Sequence, residues 1–495
     1  MNPWSEPPAK AGAHHHFDAV VVGATLPGVV AASLLAERGA RVLLLRDLIP
    51  PASYEGEDGQ PCLRRPFIAP GADAFPALTR VLSELKLHHE FVRSIAEPDP
   101  AYQVLLPEHR VDVWRERDRL AEELTREFGD RRCSRALESL KALEAALGES
   151  DEFFDGATPL PADTWRERRV LSRRLRAFPI VSGENGGRDP LPGLEGGDPL
   201  RAVLLAPGLL AGRRADGGEG RDHGLVRALG PIVRGLYRLP EGEDRFSQLL
   251  LERFRAKGGE CWDGSAEFLE SKRSRLEAVR CEGGARCGFQ VLVSGAEPTR
   301  LQELLGDARA TRKLEKLQNA AAPRGWLGTV NVIIRGEGVP EPLAERSFLI
   351  EDPRRPLTGD NLLFLDLAPP ADGKDGALRA LRVCAVFGPK ERPATADELG
   401  ERVLARLRTV IPFLDEHLER TEVASQAGDG RDVFLAAWAA PHGGPLAGTL
   451  PCRGPLKNLV FAHRASLPGL GLEGELLAGY RAAGVAFASL PKKRE

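Results

Sequence analysis

The pattern of hydrophobic and polar positions is most regular near the start of the chain, in residues 17–47. Residues 20–22 form an unbroken apolar run, which is typical of a parallel strand covered on both faces. Small and apolar residues then recur with a helical period over residues 29–38, and Gly39 ends that pattern. A second apolar run occupies residues 42–45. This order predicts strand, turn, helix and strand, the opening unit of a dinucleotide-binding fold.

The rest of the chain alternates between regular patterns and loops rich in proline and glycine. A short apolar segment at residues 202–210 lies between two such loops, and its length favours a buried helical turn over a substrate entrance or a membrane contact. The other elements that the periods predict are a helix at 75–85, a hairpin at 102–114, one or two helices at 117–147, a helix around 246–254, strands at 276–280 and 288–294, strand-like segments at 331–336 and 361–367, a helix at 401–410, and a strand, turn and helix after residue 458.

Strand–turn–helix units at the two ends of the chain bracket two less regular inserts. This order predicts an α/β fold in which a discontinuous Rossmann-like nucleotide-binding domain carries an inserted α+β substrate-type domain. The expected boundaries are a flexible tail at 1–16, a nucleotide-binding domain at 17–90, 225–300 and 430–495, and a substrate-type domain at 91–224 and 301–429.

Composition narrows the class of protein. The 495 residues carry a net charge of -3, which argues against a nucleic-acid partner because phosphate binding needs concentrated positive charge. The seven cysteines are scattered without a C-x-x-C pair, a pattern that favours a reducing compartment over a disulfide framework or a zinc site. No apolar run is long enough for a membrane span, and the first residues lack a secretion signal, so we expect a cytoplasmic protein. His14, His15 and His16 are interpreted as part of the solvated tail rather than as a metal site.

The turn after the first strand departs from the usual dinucleotide fingerprint. That fingerprint is G-x-G-x-x-G with an acidic residue about 20 positions further on. Here the three glycine positions hold Gly23, Thr25 and Gly28, and the end of the second strand holds Arg46. The middle glycine normally lets a pyrophosphate approach bare backbone, and the acidic residue normally binds a ribose hydroxyl. The sequence therefore predicts the fold of this unit more firmly than its usual ligand.

Taken in order, several segments resemble the phytoene desaturase-like branch of the FAD-dependent amine oxidoreductase superfamily. The first unit is similar to the ADP-binding segment of that family, and FQVLVSGAEPTRLQELL to the strand that returns to its nucleotide domain. The segment RGPLKNLVFAHRASLPGLGLEGELLAGYRAAG resembles its C-terminal flavin motif. The resemblance implies an FAD/NAD(P)-binding domain, bound FAD, and a last helix whose N-terminus faces the flavin ring. Gly471, Leu472, Glu473 and Gly474 match that place.

Other positions depart from the family pattern. The loop at residues 48–61 lacks the Gly-Gly pair that family members carry after the second strand. His463 and Arg464 replace the Gly-Asp or Gly-Ala of the C-terminal motif. Together with Thr25 and Arg46, these changes alter all four usual FAD contacts and predict relaxed or changed cofactor binding. The superfamily includes cofactor-free relatives, since the Rab GDP-dissociation inhibitors resemble flavoproteins but bind prenylated partners.

Three hypotheses follow. The first is an FAD-dependent oxidoreductase acting on an apolar, isoprenoid- or lipid-like substrate; it is preferred because most members of the resembled group are redox enzymes. In it, Thr25 donates to a phosphate oxygen, and Arg46 and Arg464 pair with phosphate or donate to ribose hydroxyls. The second is a non-catalytic relative that has lost FAD and binds a lipid or a protein. The third is an NADP-binding protein in which Arg46 holds the 2′-phosphate.

The sequence assigns no catalytic residue. His463 is either a proton donor near the ring or a buried histidine that fills the vacated flavin pocket. Glu473 is interpreted as a helix-capping carboxylate in preference to a base. Contact with a membrane surface, without a transmembrane segment, stays open at this stage.

Overall fold

The computed structural model of the chain describes Trp4 and residues 14–57, 59–182, 189–219, 223–306, 308–369, 378–426, 432–437 and 450–491. Its strands in chain order are β1 (His14–Val22), β2 (Val42–Leu45), β3 (Ser53–Glu55), β4 (Pro61–Leu63), β5 (Ala69–Pro70), β6 (Tyr102–Leu105), β7 (Arg110–Val113), β8 (Leu236–Tyr237), β9 (Glu260–Trp262), β10 (Ala266–Lys272), β11 (Arg275–Cys281), β12 (Arg286–Ser294), β13 (Gly325–Arg335), β14 (Arg346–Ile350), β15 (Leu362–Leu367), β16 (Leu378–Phe387), β17 (Leu418–Val423), β18 (Phe434–Ala437) and β19 (Leu459–Phe461).

The α-helices of the described residues, again in chain order, are α1 (Leu26–Glu37), α2 (Pro76–Glu84), α3 (His88–Ser94), α4 (Arg117–Phe128), α5 (Asp130–Ser150), α6 (Trp165–Ala177), α7 (Pro179–Ser182), α8 (Pro199–Ala211), α9 (His223–Ala228), α10 (Gly230–Arg234), α11 (Glu243–Ala256), α12 (Pro298–Leu304), α13 (Ala308–Ala320), α14 (Ala396–Leu407), α15 (Leu414–His417) and α16 (Gly471–Ala488). Short 3-10 helices occur at Asp151–Phe153, Glu282–Gly284, Gly336–Gly338, Gly359–Asn361 and Arg464–Ser466.

The first sheet joins strands from distant parts of the chain in the order β10-β11-β12-β1-β2-β9, and β19 also pairs with β12. Strands β19, β12, β1, β2 and β9 are mutually parallel. Val21 contributes to the core shared with α1 and α16, whereas Val20 and Val22 face a second core that includes residues of α12 and α13. The apolar run of β1 is therefore covered on both faces, as its sequence predicts.

Strand β1 begins earlier than expected. His14, His15 and His16 pair with residues 286–288 of β12, so the prediction that they belong to a flexible tail is wrong. Backbone hydrogen bonding to β12 does not depend on side-chain hydrophobicity, so the polar residues gave no sign of it. The His15 ring also stacks near Phe17, with ring centroids 6.4 Å apart.

The second sheet has the order β17-β13-β16-β15-β14-β6-β7, with β18 paired to β13. It is antiparallel except for the β14–β6 pair. One face packs on a core that includes α5 and α8, and the other on a core that includes α14. Strand β18 thus joins the second sheet, although its residues fall in a segment expected to belong to the nucleotide-binding domain.

Two helical regions agree with the sequence predictions. The apolar segment 202–210 lies within α8, where its residues are buried. The predicted helical stretch 117–147 forms the two helices α4 and α5, which are separated at Gly129, where φ is +80°. Among the helices of the described residues, none combines the length and the apolar character needed to cross a membrane.

Candidate functional site

The turn between β1 and α1 is packed against the loop that follows β12. Gly23 has a φ of +94°, and a Cβ atom there would lie 2.5 Å from the Ala296 nitrogen. A Cβ at Gly28 would lie 2.5 Å from the Gly23 carbonyl oxygen. The two glycines therefore permit a close approach of backbone that no larger residue allows.

Thr25, which replaces the middle glycine, is turned toward the protein. Its hydroxyl donates to the Gly295 carbonyl oxygen at 3.0 Å. Because a hydroxyl has one proton to donate, Thr25 cannot at the same time donate to a phosphate oxygen, as the first hypothesis assumes. The two lone pairs of the hydroxyl oxygen only accept hydrogen bonds, and a fully ionised phosphate has no proton to donate.

Arg46 points away from this turn. Its Nη1 atom lies 3.0 Å from Asp263 Oδ1, and its guanidinium group lies 4.8 Å from the centre of the Trp4 ring. The next residue, Asp47, turns inward instead, with its side chain fully buried and in contact with Arg300 Nη2 at 3.0 Å. The structure thus gives no support for a 2′-phosphate contact by Arg46.

A cavity of about 460 Å³ opens at the carboxyl ends of β1, β2, β12 and β19 and reaches residues of the second sheet. We call it the crevice. Ligands of open α/β sheets bind outside the carboxyl ends of the strands, and cavities of this size suit small molecules. The crevice is lined by Thr25, Asp47, Leu48, Ile49, Arg65, Ala296, Glu297, Pro298, Thr299, Arg300, Glu303, Gln318, Ala321, Pro323, Trp326, Gln426, Asp432, Phe434, Leu435, Ala436, His463, Arg464 and Ala465.

His463 holds the carboxylate of one crevice wall. The Nδ1 atom accepts a hydrogen bond from the Ala465 N–H at 3.1 Å, so the ring proton is on Nε2. That Nε2 atom lies 3.0 Å from Glu297 Oε2. The Glu297 side chain is 50% exposed, and the His463 ring and the guanidinium groups of Arg464 and Arg213 lower its pKa to about 2. Glu297 is therefore ionised and lies in close contact with His463, although the angle of this contact is not that of a hydrogen bond.

Arg464 lies beside His463 without a comparable partner. The residue is 8% exposed, and its Nε and Nη1 atoms have no hydrogen-bond partner in the part of the chain that the structure describes. Burial and the nearby Arg213 guanidinium lower its pKa. Nearby Arg65 pairs with Glu243 at 3.3 Å, yet its buried Nε atom is also unpartnered among the described residues. Two arginines of the crevice are thus incompletely paired among the described residues, although the lining also contains the carboxylates of Asp47, Glu297, Glu303 and Asp432.

The N-terminal end of α16 differs from the place that the resemblance implies for a flavin ring. A Cβ atom at Gly471 would clash with the carbonyl oxygen of Ala211 at the end of α8. Arg213, just after α8, contacts Glu475 at 2.7 Å. The space left beside Leu472 is a cavity of only about 40 Å³. The helix end is therefore covered by the chain itself.

Glu473 completes this closed region. Both Glu473 and Arg227 are fully buried, and they form a two-pronged contact: Arg227 Nε lies 2.8 Å from Oε2 and Nη2 lies 2.6 Å from Oε1. Arg227 Nη1 also contacts Asp151 at 2.7 Å. Glu473 is thus the partner of a buried arginine and not an exposed helix cap. Gly474 packs against the carbonyl oxygen of Leu467, where a Cβ atom would lie 2.5 Å away.

FAD does not fit these residues in the pose that the resemblance implies. The ring end of that pose is filled by the α8–α16 contact and by the paired arginines and glutamates. Of the nine residues proposed as cofactor contacts, Thr25 and Arg464 line the crevice, whereas Arg46 and Leu472 do not. The described residues contain no group of three or more His, Cys, Asp or Glu side chains placed to hold a metal ion.

Four functional candidates were missed from the sequence. These are Asp47, Arg65, Glu297 and Arg300, all of which line the crevice. Two of them follow the ends of apolar parallel strands, Asp47 after β2 and Glu297 after β12. Since ligands meet such strand ends, position alone marks these two residues as candidates.

The chain was compared with known proteins and solved structures. No family model and no curated protein matches the chain. Among solved structures, a double mutant of putrescine oxidase made to redesign cofactor binding has a TM-score of 0.56 at 13% identity, covering 96% of this chain and all of the other. An oxidoreductase from Methanosarcina mazei has a TM-score of 0.54 at 14% identity, covering 93% of this chain and 98% of its own. The PF1083 protein from Pyrococcus furiosus has a TM-score of 0.53 at 13% identity, covering 97% of this chain and 99% of the other.

These likenesses establish the fold. The chain has a mixed α/β fold similar to that of putrescine oxidase, with one mainly parallel and one mainly antiparallel sheet. That part of the resemblance is confirmed, whereas the phytoene desaturase-like branch stays a prediction.

Proposed function

We propose that this chain is a non-redox member of the fold that binds a small amphipathic anion in the crevice. The observation that carries the proposal is Arg464 on the crevice wall, a buried guanidinium with two nitrogens that have no partner among the described residues. This choice corresponds to the second sequence hypothesis, with lipid as the class of ligand.

The electrostatics of Arg464 favour an anionic ligand. A buried charge without a partner is costly, and here burial and the Arg213 charge both act against the protonated guanidinium. Glu297, the carboxylate of the same wall, is held by His463. A carboxylate or phosphate head group accepts charge-assisted hydrogen bonds from guanidinium N–H donors and would give Arg464 the partner that it lacks among the described residues.

The apolar part of the crevice lining favours an apolar body on the same ligand. It includes residues from the second sheet, namely Trp326, Phe434, Leu435 and Ala436. Such a combination of mostly apolar lining with a few placed polar groups is typical of small-molecule sites. A fatty acid or a prenyl phosphate has both required parts.

An FAD-dependent oxidoreductase with an apolar substrate is the second candidate. The close glycine turn at Gly23 and Gly28 and the shared fold favour it. It requires α8 to move away from Gly471, because the two segments are in contact.

Absorption spectroscopy separates the two candidates. We expect protein purified without added cofactor to lack flavin absorption, and dialysis against FAD to leave it colourless. Stoichiometric flavin in either sample would contradict the proposal and support the second candidate.

Ligand titration tests the anion site itself. Laurate and dodecyl phosphate are expected to bind, and uncharged dodecanol to bind more weakly, as measured by calorimetry. Arg464→Gln should weaken the binding of the two anions about 10- to 100-fold, since hydrogen bonds to charged groups contribute about 1.5–3 kcal/mol. The matched control is Arg131→Gln, an exposed arginine on α5, which should change nothing. Equal binding by Arg464→Gln and the unaltered protein would exclude this site.

A further inference from the structure

Helix α6 lies on the surface and carries an unusual charge. None of its residues is buried, although Leu171 and Leu175 pack partly against the core. Its sequence, WRERRVLSRRLRA, contains six arginines and one glutamate. The protein as a whole has a net charge of -3, so this helix is a local positive region on a weakly acidic molecule.

Four of these arginines form one outward stripe. Arg166, Arg169, Arg173 and Arg176 are spaced three or four residues apart, which places them on one side of a helix. All four are exposed, and none has an ion-pair partner among the residues that the structure describes. Like charges at this spacing repel one another, and an anionic surface would relieve that repulsion.

The single acidic residue of α6 does not neutralise the stripe. Glu167 accepts hydrogen bonds from the backbone of Asp163 and Thr164 at the start of the helix. It also pairs with Arg481 from α16. Some other surface arginines are paired, for example Arg408, which contacts Asp415 at 2.8 Å. On α6, four arginines without an ion-pair partner among the described residues lie on one side of a single helix.

Exposed apolar side chains flank the stripe. Trp165, at the start of α6, is 67% exposed, and Val170 is 41% exposed. Tryptophan favours the interface between water and lipid, and helices that combine a basic face with such residues lie in that interface. The positive charge alone would bind any polyanion, but Trp165 and Val170 add apolar contacts that are favourable at a lipid surface.

We propose that α6 docks the protein on an anionic membrane surface, with the four arginines at the lipid phosphates and Trp165 inserted among the head groups. This docking rests on α6 alone and does not depend on the ligand proposed for the crevice. The buried apolar segment of α8 plays no part in it.

Vesicle sedimentation tests the proposal. The full chain is mixed with vesicles of phosphatidylcholine alone or of phosphatidylcholine and phosphatidylserine, and the bound fraction is measured at low and high salt. We expect binding only to the anionic vesicles and loss of it in high salt, because exposed charges are screened. Replacing Arg166, Arg169, Arg173 and Arg176 by Gln should lower the partition coefficient by about two orders of magnitude or more, since each basic residue near such a surface contributes roughly fivefold.

A control variant removes the same charge elsewhere. It changes Arg131, Arg132, Arg135 and Lys141 of α5 to Gln, and we expect it to keep nearly full vesicle binding. Circular dichroism checks that both variants are folded. A blue shift of fluorescence on adding anionic vesicles should disappear in Trp165→Phe, which shows that α6 itself meets the lipid.

Three results would overturn the proposal. One is vesicle binding by the α6 variant equal to that of the unaltered protein. Another is an equal loss in the α5 control, which would assign the effect to net charge. The third is binding of an RNA oligonucleotide through the α6 arginines with no binding to anionic vesicles, which would identify a nucleic-acid surface instead.

Discussion

Arg227 and Arg464 are both almost completely buried, but their surroundings differ. Arg227, behind the N-terminal end of α16, contacts both oxygens of Glu473 and also Asp151. Arg464, in the crevice wall, has two nitrogens without a partner among the described residues. Burial of a charge therefore does not distinguish a structural residue from a binding residue in this protein. The pairing of that charge does.

The same contrast separates two regions of the molecule, the N-terminal end of α16 and the crevice. At the end of α16, Arg227–Glu473 and Arg213–Glu475 satisfy the charges from within the chain, and α8 covers Gly471. In the crevice, His463 takes the nearby carboxylate and leaves Arg464 free. The closed region contributes rigidity, and the open one is available to a ligand.

The largest effect is expected when Arg227, the paired arginine, is replaced. Arg227→Met should lower the free energy of unfolding by about 3–5 kcal/mol, because it leaves Glu473 buried without its partner. Chemical denaturation measured by circular dichroism gives this value. The double variant Arg227→Met with Glu473→Met should recover most of the loss, since replacing a whole buried pair by apolar groups is often nearly neutral. Equal losses in the single and double variants would mean that the pair itself is not the cause.

Removing the unpaired arginine should act in the opposite direction. Arg464→Met is expected to raise the free energy of unfolding of the ligand-free protein by about 1–3 kcal/mol, because an unsatisfied buried polar group is costly. With laurate present, the unaltered protein should regain that difference and the variant should not. A destabilised Arg464→Met protein would show that Arg464 already has a partner, and the distinction between the two arginines would fail.

The sequence predicts the frame of the molecule because the signals for that frame are local. The apolar runs of β1 and β2, the glycine turn at Gly23 and the strand before α16 are each readable within a few residues. Pairing between distant residues is not local. Arg227 meets Glu473 across 246 positions, and Thr25 meets Gly295 across 270.

The directions in which side chains point could likewise not be predicted from the sequence. Arg46 and Asp47 are neighbours, and the pattern singled out Arg46, yet Asp47 faces the crevice while Arg46 pairs with Asp263. Asp47 has a φ of +50°, a backbone conformation that periodicity does not reveal. The substitution at a motif position therefore did not indicate which of the two neighbouring residues lines the crevice.

The ionisation of Glu297 in the crevice wall predicts how stability depends on pH. Its pKa of about 2 in the folded protein lies below the ordinary value of 4.5, so its stabilising contribution is complete above about pH 4.5 and is lost as the pH falls toward 2. His463→Phe should raise the pKa of Glu297 and begin the acid loss of stability at a higher pH. Carbon-13 NMR of the carboxyl group measures the shift. His463→Gln, whose amide still donates near the Nε2 position, should have the smaller effect; equal shifts would show that the hydrogen-bonding atom is unimportant.

The smallest effect is expected at Arg46. Its contact with Asp263 is partly exposed, with 29% and 41% of the two side chains accessible, and such pairs contribute about 0–1 kcal/mol. Arg46→Gln should therefore change the free energy of unfolding by less than about 1 kcal/mol and leave any binding of NADP or NAD unaltered. Arg300→Gln is the matched comparison, because Arg300 pairs with the fully buried carboxylate of Asp47 and its loss should cost more. If Arg46→Gln selectively abolished NADP binding, the crevice would extend to Arg46, and the division between paired surface residues and open crevice residues would need to be redrawn there.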